Sequence, residues 1–176
     1  MLRRLLASLG LMPFARRLRS RWAVAPVYLA NFLFQRVLGV NRDCPWSVHY
    51  TSRVANPAAI KIHPSVRPSF AFSGGCYIQA LNGIEMGEGS LFAWGVKIIS
   101  ANHSIEDLTT WEPAAPIRIG RQCWIGANAV ILPGVQLGDR VVVGAGSVVT
   151  RSFEGHCVVA GAPARVVRRL PRPDRA

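Results

Sequence analysis

His103 is the residue in this sequence best suited to acid–base chemistry. Asn102 precedes it, and Glu106 and Asp107 follow closely. The pKa of an imidazole lies near neutral pH, so a positioned histidine can take a proton from a hydroxyl group and return it later. A neighbouring carboxylate or a main-chain carbonyl could orient the ring. His103 is therefore a candidate general base, and the alternative is an ordinary polar loop residue.

The remaining histidines and the cysteines lack a comparable context. The histidines are His49, His63 and His156, and the cysteines are Cys44, Cys76, Cys123 and Cys157. The histidine spacing does not match a three-histidine metal site, and no two cysteines form a C-x-x-C pair. We expect no metal and no disulfide framework, which is typical of a protein in a reducing compartment.

A six-residue repeat must supply the scaffold that positions His103. Small or apolar residues recur as pairs two positions apart, every six residues, over 60–98 and in a new phase over 117–149. Alternate residues of a strand face the same side, so each pair predicts a short strand with one buried face. The spacing of an α-helix fits neither range. The first range holds the pairs Ile60/Ile62, Val66/Pro68, Phe72/Gly74, Ile78/Ala80, Ile84/Met86, Ser90/Phe92 and Val96/Ile98.

Glycines directly follow several pairs in the second range, as at Gly120, Gly126, Gly138 and Gly144. Glycine there lets the chain turn where side chains would crowd or where φ must be positive. A period of six leaves room for a short strand and a corner. It therefore predicts an all-β solenoid, in which short parallel strands stack coil upon coil.

The loop at 99–116 interrupts the repeat and contains His103. A regular solenoid has little structural need for such an excursion, and loops on rigid scaffolds often carry function. We therefore expect this loop to be the active-site loop.

Four segments give the sequence its resemblance to a known family: Ile117–Ala127, Val130–Asp139, Val143–Thr150 and Val159–Val166. They resemble the hexapeptide-repeat acyltransferases, and the chain is most similar to bacterial sugar and polysaccharide O-acetyltransferases of the maltose, galactoside and nodulation group. The resemblance covers about residues 50–170. It implies a left-handed parallel β-helix with three six-residue sides per coil, acetyl-CoA as co-substrate, and a homotrimer with active sites between subunits.

The same resemblance implies roles for individual residues. His103 occupies the position of the family's base, and Trp124 resembles a retained tryptophan. Ala127 and Ala145 match positions that line the path of the coenzyme A arm, although ordinary corner packing would explain them equally well. Thr150, Arg151 and Arg165 continue that path towards the phosphates, with a solvated tail as the alternative for the arginines.

Two asparagines are candidates for binding the acceptor. Asn82 resembles the family asparagine that contacts the acceptor sugar, but its side chain could instead cap the turn before Gly83. Asn102 stands beside the proposed base. The predicted function is transfer of an acetyl group to a hydroxyl of a sugar, glycan or lipid-linked saccharide. Two alternatives stay open: N-acetylation of an amino sugar, and a non-catalytic β-helix scaffold.

The two ends of the chain are strongly basic, within a net charge of +12. Residues 1–42 contain eight arginines and no acidic residue. We divide the chain into a basic, amphipathic, partly helical segment (1–45), the β-helix (46–170) and a basic tail (171–176). The apolar stretches of the first segment are too short to span a bilayer and lack a signal-peptide cleavage site. It could lie on an anionic membrane or cap the β-helix.

No nucleic-acid-binding motif accompanies the basic residues, so we expect no nucleic acid partner. The predicted location is the cytoplasm, with peripheral contact at the inner face of the cell membrane.

Overall fold

The computed structural model describes residues 24–171, so the expectations for residues 1–23 and for the tail beyond 171 lie outside the described residues. Residues 24–32 form helix α1, which continues as one π-helical stretch, Leu33–Val37. Helix α2 is Arg67–Phe72. The strands are β1 Arg53–Ala55, β2 Ile60–Ile62, β3 Tyr77–Gln79, β4 Ile84–Met86, β5 Leu91–Phe92, β6 Lys97–Ile99, β7 Ile117–Ile119, β8 Trp124–Ile125, β9 Val130–Ile131, β10 Gln136–Leu137, β11 Val141–Val143, β12 Val148–Val149, β13 Cys157–Gly161 and β14 Ala164–Arg169.

The strands form three sheets that the chain visits in rotation. Sheet A has the order β1-β3-β6-β9-β12, sheet B β10-β7-β4-β2, and sheet C β14-β13-β11-β8-β5. The named pairings are parallel except that of β13 with β14, which is antiparallel. From β3 to β11 each coil thus contributes one strand to each side of a triangular stack, as the six-residue repeat predicts.

The core lies inside this stack and is built from the predicted inward pairs. Ile78, Ile98 and Ile131 stand in register on sheet A, and each is at most 1% exposed. Ile84 pairs with Ile117 on sheet B, and both are fully buried. Burying each such side chain stabilises the fold by about 1.5–3 kcal/mol. The predicted strand positions from residue 78 onward are confirmed.

The first coil departs from the predicted repeat. Helix α2 stands where the repeat predicts strand pairs, so the prediction for Val66/Pro68 and Phe72/Gly74 is wrong. Pro68 is exposed and Phe72 is only half-buried, whereas Phe70 is 2% exposed. The Phe70 ring fills the end of the stack, 5.4 Å from Trp46 and 5.0 Å from Phe92 between ring centroids. Pro68 suits the first turn of a helix because its fixed φ is already helical.

Glycine is required after the pairs because the next coil leaves no room for a Cβ atom. A Cβ atom on Gly126 would lie 2.6 Å from the Ala145 nitrogen and 2.7 Å from the Val143 oxygen of the next coil. The positive φ angles fall three residues after the second member of a pair, at corners such as Gln122, Asn128 and Gly134. Each corner therefore needs a small residue at one position and a left-handed conformation at another.

Helix α1 docks on the open end of the stack. Asn31 and Gln35 are 0% and 4% exposed and hydrogen-bond to the segment 44–50 and to Ala71. Across residues 24–171, none of the helices combines the length and apolar character needed to cross a bilayer.

Candidate active site

The loop that carries His103 is fixed to the outer face of sheet A. Gln79 points out of the stack beside inward-facing Ile78, yet it is only 4% exposed because the loop covers it. Its side chain bonds both main-chain groups of Ala101: the Ala101 N–H donates to Oε1 over 2.9 Å, and Nε2 donates to the carbonyl over 3.2 Å. The Gln79 side chain therefore anchors the start of the loop at Ala101, just beyond the end of β6.

Asn82 joins the two ends of the same loop. Its Nδ2 donates to the main-chain oxygens of Ser100 and Glu112, each over 2.9 Å. The Glu112 N–H in turn donates to the Asn102 carbonyl over 2.9 Å. Both donors of the Asn82 amide are thus used for structure, whereas Oδ1 makes no hydrogen bond within residues 24–171. The Asn102 side chain is exposed.

The His103 ring is held on one edge and on one face. Its Nδ1 lies 2.6 Å from the carbonyl oxygen of Leu108, and its ring centroid lies 3.8 Å from that of Trp111 at an interplanar angle of 35°. His103 and Trp111 also form an antiparallel bridge across the loop. A carbonyl oxygen can only accept, so Nδ1 must carry the proton. Nε2 is then the lone-pair nitrogen, which is the form that a base requires.

A turn at Asp107 presents the Leu108 carbonyl. The Asp107 carboxylate accepts from Thr109 twice, from its N–H over 2.9 Å and from its hydroxyl over 2.7 Å. These bonds, the hydroxyl's first, lower the pKa of Asp107, so the carboxylate stays ionised and keeps the turn. The orienting group that the sequence left open is a main-chain carbonyl. The carboxylates of Glu106 and Asp107 make no contact with the ring among the described residues.

The candidate coenzyme A residues divide between two edges of the stack. Ala127 follows β8 and Ala145 follows β11, so both lie at the edge between sheets C and A. The Gly146 N–H donates to the Ala127 carbonyl over 2.8 Å, which places the two alanines in adjacent coils. Within the described chain, neither alanine's own N–H donates a hydrogen bond. Both amides are available to a bound ligand.

Arg165 belongs with the alanines, and Thr150 and Arg151 do not. Arg165 is the second residue of β14 and pairs with Ala160 beside the C–A edge. Thr150 and Arg151 follow β12 at the edge between sheets A and B, where the His103 loop also emerges. The Arg151 guanidinium carbon lies 5.4 Å from the centre of the Phe153 ring. One chain therefore does not bring the two groups of candidate residues to one edge.

The other histidines and the cysteines serve the fold. His63 caps the short helix Pro64–Val66, with its ring accepting from the Ser65 N–H. The cysteines are buried free thiols, and burial raises the pKa of Cys44 to about 11, which leaves it protonated. Residues 24–171 contain no group of three or more His, Cys, Asp or Glu side chains placed to hold a metal ion.

The family model that matches is the hexapeptide repeat of succinyl-transferase, over residues 116–151. These residues are the second run of inward pairs, whose burial and register are described above. Over these residues the chain matches the hexapeptide repeat of that family.

Individual relatives agree with this assignment. The galactoside O-acetyltransferase of Escherichia coli K12 is 48% identical over 60 residues, which is 34% of this chain and 30% of that protein. A crystal structure of a maltose O-acetyltransferase from Clostridium difficile 630 shares 31% identity and a TM-score of 0.52, covering 70% of this chain and 61% of that one. A hexapeptide-repeat acetyltransferase from Vibrio cholerae, solved with acetyl coenzyme A, shares 26% identity and a TM-score of 0.51, covering 69% of each chain. The match to the curated relatives spans only about a third of their length.

Sequence analysis of this hexapeptide-repeat protein missed three features of the loop. They are the Gln79 anchor, the Trp111 ring and the Leu108 carbonyl. A polar residue beside an inward isoleucine could have signalled Gln79. Nothing in the sequence singles out the Leu108 carbonyl, because every residue has one and only the turn at Asp107 aims it.

Proposed function

We propose that this hexapeptide-repeat protein is an acetyl-CoA-dependent O-acetyltransferase with His103 as general base. The observation that carries the proposal is the 2.6 Å bond from His103 Nδ1 to the Leu108 carbonyl, which leaves Nε2 free to accept a proton. The acceptor is a hydroxyl of a sugar, glycan or lipid-linked saccharide. The similarity to acetyltransferases, including one solved with acetyl coenzyme A, supports the choice of donor.

The chemistry follows from the ring's position. His103 Nε2 takes the hydroxyl proton while the acceptor oxygen attacks the thioester carbonyl carbon. The tetrahedral intermediate then collapses, the carbon–sulfur bond breaks, and the imidazolium returns the proton to the leaving thiolate. The products are an acetyl ester and free coenzyme A. The Leu108 carbonyl stabilises the imidazolium between the two proton transfers, because it keeps accepting from Nδ1.

The donor would lie along the C–A edge. The free N–H groups of Ala127 and Ala145 can bond the amides of an extended pantetheine arm, and small side chains allow it to approach the backbone. Arg165, at the end of this edge, would meet the phosphates. Asn82 Oδ1 and Asn102 would contact the acceptor on the other side, beside His103.

A homotrimer would bring the two edges together. The A–B edge of one subunit, with His103, Thr150 and Arg151, would face the C–A edge of the next. Exposed apolar residues of sheet C beside the C–A edge, Leu91 and Trp124 at 42% and 44% exposure, are available to such a contact. We also infer a left-handed coil, cytoplasmic location and peripheral contact with the inner membrane face.

The direct test replaces His103 with Ala in the full chain. Acetyl transfer is measured as thiol release from acetyl-CoA with a panel of sugars and glycans, using paired hydroxy and amino acceptors. Loss of a positioned base lowers kcat by about a hundredfold to ten-thousandfold. His156→Asn is the matched control, because Asn tolerates the positive φ of 59° at that corner. Undiminished turnover in folded His103→Ala protein would rule out the base, and transfer to amino acceptors alone would indicate an N-acetyltransferase.

A further inference from the structure

The outward face of α1 and its π-helical continuation is apolar. Leu29, Phe32, Leu33 and Val37 are 71%, 60%, 46% and 65% exposed. We call these four residues the outer apolar patch. A contiguous group of large exposed apolar side chains on a water-facing helix is unusual, and such patches commonly mark a binding surface.

The inward face of the same helix combines two buried amides with the aromatic contacts Tyr28–Phe72 and Phe34–Tyr50, at 5.3 and 5.0 Å between ring centroids. The Asn31 amide donates to Ser47 Oγ over 3.1 Å and to the Ala71 carbonyl over 3.0 Å. The Gln35 amide donates to the carbonyls of Cys44 and Trp46 over 3.0 and 2.9 Å. The helix is thus held to the stack by hydrogen bonds through residues four positions apart and by aromatic contacts, and none of the four patch side chains takes part in these interactions.

Packing on the stack does not explain the outer apolar patch. A helix that only capped the fold would turn Leu29, Phe32 and Val37 inward. Here the contacts with the stack are made by the two amides and by other aromatic side chains, so the patch remains for an apolar environment outside the chain.

The charge around the patch identifies that environment. Arg36 is exposed between Leu33 and Val37. The sequence before α1 adds Arg3, Arg4, Arg16, Arg17, Arg19 and Arg21, with no acidic residue before Asp43. A second copy docking by the same face would bring Arg36 close to its own counterpart, which is unfavourable. An anionic lipid surface offers acyl chains to the patch and negative headgroups to the arginines.

We propose that the outer apolar patch inserts into the interface of an anionic membrane, with Arg36 on the headgroups. This gives the peripheral contact included in the proposed function a defined surface, and it does not depend on the identity of the acceptor or on catalysis. The protein lies on the membrane through α1 and keeps the stack in water.

The test compares full-length protein in vesicle sedimentation. Vesicles of phosphatidylcholine alone are compared with vesicles that also contain phosphatidylglycerol, at low and high salt. The variant combines Leu29→Ser, Phe32→Ser and Val37→Ser, and the control is Val167→Ser, an equally exposed apolar residue on β14 at 63%. We expect wild type and control to sediment with anionic vesicles. The triple variant should bind these vesicles at least about tenfold more weakly.

Three results would overturn the proposal. They are wild-type protein that stays in the supernatant with anionic vesicles, a triple variant that binds as wild type does, and a triple variant that forms a smaller oligomer without lipid. The last would assign the patch to a protein contact. Acetyl transfer to a soluble acceptor is measured in parallel. The triple variant should retain it, so failure of membrane binding is distinguishable from failure of the enzymatic proposal.

Discussion

At the scale of single residues, the site depends on which nitrogen of His103 carries the proton. The Leu108 carbonyl fixes that proton on Nδ1, and Trp111 covers one face of the ring at 3.8 Å. These contacts restrict both the in-plane and the out-of-plane rotation of the imidazole. A base on an exposed loop needs such support, because an unrestrained ring would seldom point its lone pair at the acceptor.

Trp111 is therefore a positioning residue, and its removal should affect turnover more than binding. We expect Trp111→Ala to lower kcat about tenfold to a hundredfold while the KM for acetyl-CoA changes little, because the ring loses its support but the donor edge is intact. Trp111→Phe should recover most of the activity, since a phenyl ring can still stack on the imidazole. Steady-state kinetics on the three proteins provides the measurement.

Two outcomes would contradict this role. One is a Trp111→Ala protein with unchanged kcat, and the other is a Trp111→Phe protein as impaired as the alanine variant. A purely structural contribution of Trp111 would lower the melting temperature and the fraction of active enzyme, and the second effect would also lower the apparent kcat at constant KM. The kcat values are calculated per folded protein, so that a remaining deficit in kcat reports on the position of the ring. The melting temperatures of all three proteins are therefore compared with the kinetics.

At the scale of the elements, the corners between strands determine which residues the repeat allows. Gly126 is confined by the next coil, whereas a Cβ atom on Gly134 would have nothing within 4 Å. Gly134 instead has φ +72°, and equivalent corners hold Gln122 and Asn128 at φ 54° and 58°. The two glycines therefore stand in one repeat for different physical reasons.

That difference predicts that substitution lowers the stability of the protein at one glycine and hardly changes it at the other. Gly126→Ala should destabilise the protein by about 1–3 kcal/mol, because the new methyl group overlaps the backbone of Val143 and Ala145. Gly134→Asn should change stability by less than about 0.5 kcal/mol, because Asn tolerates a left-handed conformation and the site is open. Urea unfolding followed by circular dichroism measures both. Equal losses in the two variants would show that corner geometry does not distinguish them.

The same elements show how far the sequence could predict the fold and the site. Pairs such as Ile78/Ala80 and Ile117/Ile119 reveal the stack because each coil repeats one steric requirement. Phe70 departs from the six-residue repeat because the end of the stack has no coil above it, so that a large ring on a helix fills the space instead of another strand. The loop sequence identified His103 as a candidate base. The group that orients its ring is a main-chain carbonyl placed by a turn, and the sequence cannot single out one carbonyl because every residue has one.

At the scale of the whole molecule, the proposed active site is larger than one chain can provide. The His103 loop emerges at the A–B edge, and Ala127, Ala145 and Arg165 lie at or beside the C–A edge. In a closed trimer with heterologous contacts, each A–B edge meets the C–A edge of a neighbour. Every site would then combine a base from one subunit with a donor groove from another.

This arrangement predicts that two inactive chains restore each other. His103→Ala removes the base but keeps the groove, and Ala145→Trp obstructs the groove but keeps the base. In a trimer that contains both chains, co-expressed with different tags, one of the three sites joins an intact base to an intact groove, whichever chain is present twice. Purified mixed trimers should therefore show about a third of wild-type thiol release, while each homotrimer is nearly inactive. Light scattering must show the same assembly for each protein, and mixed trimers as inactive as the homotrimers would place the whole site within one chain.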